Sequence, residues 1–151
     1  MSAENLVGDD RRVDSRTKVQ NLVQTRTETL ALLTDLAGKQ PFTADPLMED
    51  MLKRFCQALI DYTASAHFQL YSYLADNRER RRSVLEIADQ TYPKIVESTD
   101  VILRFNDKYD SASIENCTEY LASDLSRLGE CLADRILLED RIIRALHGDL
   151  H

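Results

Sequence analysis

Residues 55–71, FCQALIDYTASAHFQLY, put a thiol, a carboxylate and an imidazole among aromatic side chains, the raw material of nucleophilic catalysis, metal binding or protein recognition. The segment lacks Gly and Pro, and its apolar residues return every three or four positions, so it reads as a helix. At the helical rise, Cys56 and His67 lie about 16 Å apart along the axis, too far to form a Cys-His catalytic pair. A histidine acting as a metal ligand needs companions. Helical di-iron sites use repeated Glu-x-x-His pairs, which are missing here, and the other histidines, His147 and His151, lie near the end of the chain. Cys56, Cys117 and Cys131 are odd in number and widely spaced, fitting neither a disulfide framework nor a zinc site. There is no Gly-rich phosphate loop. Asp89 or Glu97 could approach another carboxylate, but with 26 acids in the chain such a pairing has little diagnostic value. No catalytic residue, metal site or cofactor is expected, and the chain does not read as an enzyme.

The helical projection gives the polar residues other work. Leu52, Phe55, Cys56, Leu59, Thr63, Ala66 and Leu70 gather on one broad face. Asp61 falls opposite, Phe68 lies almost above it, and Ser65 lies between them. This outward strip is either an ordinary solvated face with one scattered aromatic or a recognition surface, in which Phe68 supplies apolar area and Asp61 selects a basic partner. His67 falls at the edge of the core face, where hydrogen bonds to Tyr71, Tyr92 or a neighbouring carboxylate are expected. Arg26 interrupts the apolar stripe between Leu22 and Leu30, as a solvated boundary residue or as part of an internal ion pair. Glu139 and Asp140 interrupt ILLEDRII, and Arg26 with Glu139 forms a candidate structural pair. The RERRR run at residues 78–82 reads as a solvated, basic helix start that could also meet an acidic partner.

The elements that position these residues are helices. The 151-residue chain has only 4 Gly and 3 Pro, and no strand-like alternation. A first helix is expected from Asp14 or Ser15 to Gly38, with Val19, Leu22, Leu30, Leu33 and Ala37 on or near one stripe. Asp45 and Pro46 start a second, running to about residue 75. A third covers about 79–106 through Val84, Ala88, Ile95, Thr99 and Ile102, with a kink expected ahead of Pro93. A fourth covers about 116–147, opening on Leu121, Leu125, Leu128 and Leu132. These long amphipathic faces predict an all-α antiparallel bundle of about four helices, with room for a short extra one. Leu59, Leu70, Ile95, Leu125 and Leu132 are its expected core. Residues 1–13 read as a flexible N-terminal segment and 14–151 as a single domain. The formal charge of -7 argues against nonspecific nucleic-acid binding and favours a basic protein partner. Neither a signal-peptide core nor an apolar run of about 20 residues is present, so a soluble cytoplasmic protein is expected, with no membrane contact.

FCQALIDYTASAHF, LADRILLEDRII and the looser KVQNLVQTR resemble the regulator of sigma D (Rsd/AlgQ) family across roughly residues 15–146. The resemblance implies an anti-sigma factor of stationary phase that binds the housekeeping sigma factor, chiefly its basic C-terminal promoter-reading domain, and leaves more core RNA polymerase to alternative sigma factors. It also implies a competing role, a stress-response adaptor that meets a phosphocarrier protein without inhibiting sigma. Carried onto matching positions, Asp61 is the leading sigma contact, and Ser65 and Phe68 join it by their shared face. Tyr62 and His67 match the motif as supports, while Glu139 and Asp140 fall to an internal polar network with Arg26. The family's Trp-Leu-x-x-Arg signature reads Leu22-Val23-Gln24-Thr25-Arg26 here, so any contact made by the tryptophan is lost, and Ala64 stands where a serine is expected.

Overall fold

In the computed structural model, which describes residues 3–71, 81–110 and 114–146, all regular structure is helical. Helix α1 spans Ala3–Ala37, α2 spans Pro46–Ala66 and continues as a π-helical turn over His67–Tyr71, α3 spans Arg82–Tyr109, and α4 spans Ile114–Leu146. The four-helix, all-α expectation holds. Helix α1 starts well ahead of Asp14, and the expected end of the second helix near residue 75 lies outside the described residues, as do Arg78, Arg80, His147 and His151.

Helix α2 starts where its sequence provides for it. The Asp45 carboxylate accepts from the Met48 amide at 2.8 Å and from the Thr43 hydroxyl at 2.7 Å, and Pro46 fills the first turn. These bonds, that of Thr43 foremost, hold the Asp45 carboxyl below its usual range. Past Ala66 the helix widens. A π-helical turn holds more residues than an α turn, so side chains beyond it rotate relative to the α projection, and Leu70 and Tyr71 both end buried. Helix α3 stays helical through Pro93. Its N-cap residue, Arg81, makes no side-chain cap and instead donates to the Leu146 carbonyl at 2.7 Å, tying the end of α4 to the start of α3.

The bundle is two helical hairpins laid together: α1 packs mainly on α2, α3 mainly on α4, and the hairpins meet more sparsely along a seam. Phe55 meets Phe105 edge-on at 5.8 Å and Tyr71 meets Tyr92 at the same distance, so α2 and α3 run antiparallel. Leu59, Leu70, Ile95, Leu125 and Leu132 are all buried, as their periodicity predicts. The stripe on α1 is less regular. Leu22 and Leu36 are fully buried, Leu30 and Leu33 only partly, and Ala37 is exposed. Thr29 is buried in their stead, because its hydroxyl reaches the carbonyls of Thr25 at 2.8 Å and Ala58 at 3.2 Å and so needs no water.

Candidate protein-binding face and the polar seam beneath it

The seam between the hairpins is closed by charge. Glu139, from α4, is fully buried. Its Oε1 accepts from the Tyr62 hydroxyl at 2.6 Å and lies 3.5 Å from Arg26; its Oε2 accepts from the Tyr71 hydroxyl at 3.1 Å and from Arg135 Nε at 3.2 Å. Arg135, one helical turn before Glu139, is equally buried. Its Nε also lies 3.2 Å from the Tyr62 hydroxyl, and its Nη1 donates to Thr99 at 2.7 Å and Ser98 at 3.0 Å on α3. Arg26 is held from its other side by Asp140 at 2.9 Å. Two guanidinium groups thus face two carboxylates, and every helix contributes a member. Buried charge of this kind is tolerable only when paired and saturated with hydrogen bonds.

The titration of the network follows from its burial. Burial first, and then the Glu139 charge, push both Tyr62 and Tyr71 well above the ordinary tyrosine range. Burial opposes the Arg135 charge, but Tyr62 and Glu139 outweigh it and raise its affinity for the proton. The tyrosines therefore stay protonated and the arginine charged near neutral pH, an arrangement that fixes helices in register and transfers no proton.

His67 stands apart from this network. It is exposed, with its ring edge-on to Phe68 at 5.1 Å. The projection had put it at the edge of the core; it closes the α segment on the flank of that face, and the widened turn brings Tyr71 inward in its stead. Tyr71, Arg135 and the α3 hydroxyls of Ser98 and Thr99 are the members that sequence reasoning missed. Spacing offered one signal, because Arg135 precedes Glu139 by four residues on the same face of α4. The thiols offer little chemistry: Cys56 is buried, and burial pushes the half-buried Cys131 thiol up. The Cys117 side chain lies outside the described residues.

On the opposite side of α2 the residues face water. Asp61 is exposed and accepts from Gln57 at 3.1 Å; Ser65 is half-buried; Phe68 is 66% exposed. The consecutive residues Asp61 and Tyr62 thus divide their work, Tyr62 anchoring α2 inside the seam while Asp61 is displayed outside. Leu22 is fully buried between α1 and its neighbours, while Ala64 is exposed on the surface. No described helix is long and apolar enough to cross a membrane.

Residues 4–147 match the model of a family described as regulator of RNA polymerase sigma(70) subunit, Rsd/AlgQ. A protein named regulator of sigma D from Yersinia enterocolitica is 35% identical over 102 residues, covering 66% of this chain and 60% of the relative. Its namesake from Pectobacterium atrosepticum is 31% identical over 136 residues, covering 87% of this chain and 88% of the relative. The match thus spans about 60% of the length of the Yersinia relatives and most of the Pectobacterium one. No solved structure matches the chain. With the family model covering nearly the whole bundle, the chain belongs to the Rsd/AlgQ family, whose members are regulators rather than catalysts.

Proposed function

We propose that this protein binds the housekeeping sigma factor, mainly through the C-terminal promoter-reading domain, and reduces its association with core RNA polymerase in the cytoplasm. The observation that carries the reading is the family match over residues 4–147, whose description names the sigma(70) subunit as what is regulated. The geometry of α2 supports a place for the contact. Asp61 meets an arginine or lysine of sigma, Phe68 buries its exposed ring, and Ser65 offers a hydroxyl between them. The protein acts by occupying a surface, and the net charge of -7 suits a basic target.

Mixing the protein with sigma factor and core polymerase, followed by size-exclusion chromatography, tests this directly. A binary complex with sigma and a dose-dependent loss of holoenzyme are expected. Undiminished holoenzyme with no binary complex contradicts the proposal, and capture of a phosphocarrier instead of sigma from a cell extract favours the adaptor role.

A further inference from the structure

A groove of 430 Å³ lies between α2 and α3, beside Phe68. Ile60, Ala64 and Phe68 form one wall; Tyr92, Val96 and Leu103 form the other. Nine large apolar side chains are exposed among the described residues, and five of them, Ile60, Phe68, Tyr92, Val96 and Leu103, line this one groove. Scattered exposed apolar residues need no explanation, but convergence on a concave strip marks an interaction surface.

Charge and length specify its occupant. By helical projection Asp61 falls about 60° outward from the α2 wall, and Asp89 and Asp100 about 40° and 60° outward from the α3 wall, so carboxylates border both sides. All three are exposed. Asp100 also pairs with Arg104 at 3.1 Å, and Asp61 accepts from Gln57, yet neither acid is buried by its neighbour. Lys94 projects away from the groove side of α3. Because Phe55 lies against Phe105 and Tyr71 against Tyr92, Ile60 is level with about Val101, less than a turn from Leu103, and Phe68 with the Tyr92–Val96 turn. The α2 wall therefore extends about 12 Å along the axis and the α3 wall about 16 Å, enough to cover the roughly 10.5 Å between the first and last anchors of an i, i+3 or i+4, i+7 pattern. The floor is not wholly apolar: Thr63, Thr99 and the guanidinium of Arg135 reach it.

We propose that this groove docks one amphipathic helix of the partner protein, with its apolar face inward and Lys or Arg residues along both flanks opposite Asp61, Asp89 and Asp100. The inference rests on the sigma-binding reading and names the kind of segment that the α2 face receives. It extends the contact surface from the Asp61–Phe68 strip across to α3, where nothing in the sequence motif points.

The test uses the full protein and the C-terminal domain of the housekeeping sigma factor as probe, in titration calorimetry at fixed salt. Val96→Glu and Leu103→Glu place a charge inside the groove, while Val101→Glu and Leu137→Glu do the same at exposed apolar residues outside it. Loss of about tenfold or more in affinity is expected for the groove pair, with little change for the outside pair. Asp89→Asn is expected to weaken binding and flatten its salt dependence. If the groove variants bind like wild type, the groove is not the dock although the sigma reading stands. If wild type does not bind the sigma domain, both fall together. Should a groove variant fail to fold, carbodiimide labelling of the wild-type protein decides: Asp89 and Asp100 become protected on adding the sigma domain, and unchanged labelling overturns the proposal.

Discussion

Glu139 and Asp61 are both carboxylates on long amphipathic helices, and they end in opposite surroundings. Glu139 sits in the seam with two tyrosine hydroxyls and two guanidinium groups on its oxygens and no contact with water. Asp61 faces solvent with one amide donor from its own helix. The cost of taking the Glu139 charge out of water has been met within the fold, so its loss is a loss of stability. On the proposed reading the cost of desolvating Asp61 is met by the partner, so its loss is expected to lower affinity rather than stability. The two hairpins illustrate the same division: apolar stripes hold each one together, and the polar seam sets how they meet.

The largest expected effect breaks the seam. Glu139→Ala leaves Arg135 buried without its carboxylate and should lower unfolding free energy by about 3–5 kcal/mol in urea titration. A loss under about 1 kcal/mol would mean that water replaces the carboxylate and that the seam is not closed. Tyr62→Phe removes one hydroxyl from Glu139 and from Arg135, and about 1–3 kcal/mol is expected, with a smaller loss for Tyr71→Phe at its longer hydrogen bond. On the other side of α2, Phe68→Ala should leave stability within about 0.5 kcal/mol of wild type, because the ring is already in water.

Titration separates the regions as well. Both seam tyrosines hold their protons more tightly folded than unfolded, so their contribution is complete below the unfolded tyrosine pKa near 10 and is lost as pH rises beyond it. Stability should therefore fall above about pH 10, and less steeply in Tyr62→Phe than in wild type when both are followed by denaturant titration at stepped pH. An equal slope in the two proteins would remove Tyr62 from the buried network.

Much of the bundle was legible from periodicity, because Leu59, Ile95, Leu125 and Leu132 recur on faces that only helices make. Arg26 and Glu139 stood out as charges inside apolar stripes. Arg135 did not, for a definite reason: its spacing to Glu139 is that of Lys53 with Glu49, Arg82 with Glu86 and Arg104 with Asp100, which are all solvated pairs. Sequence spacing gives the pair, and only packing by neighbouring helices decides whether it is dry. Tyr71 depended on a widened turn that an α projection cannot contain. The groove was hidden because its two walls lie on different helices, and no single-helix pattern shows which exposed residues will face one another.

Titration calorimetry with the C-terminal domain of the housekeeping sigma factor, comparing wild type with Asp61→Ala at one salt concentration, addresses the division between displayed and buried carboxylate most directly. Binding by wild type, a loss of about 2 kcal/mol or more in Asp61→Ala, and an unfolding midpoint close to wild type are the expected results. Equal affinities for the two proteins would contradict the charge contact at Asp61, and absence of wild-type binding to that domain or to full-length sigma would contradict the sigma-binding account itself.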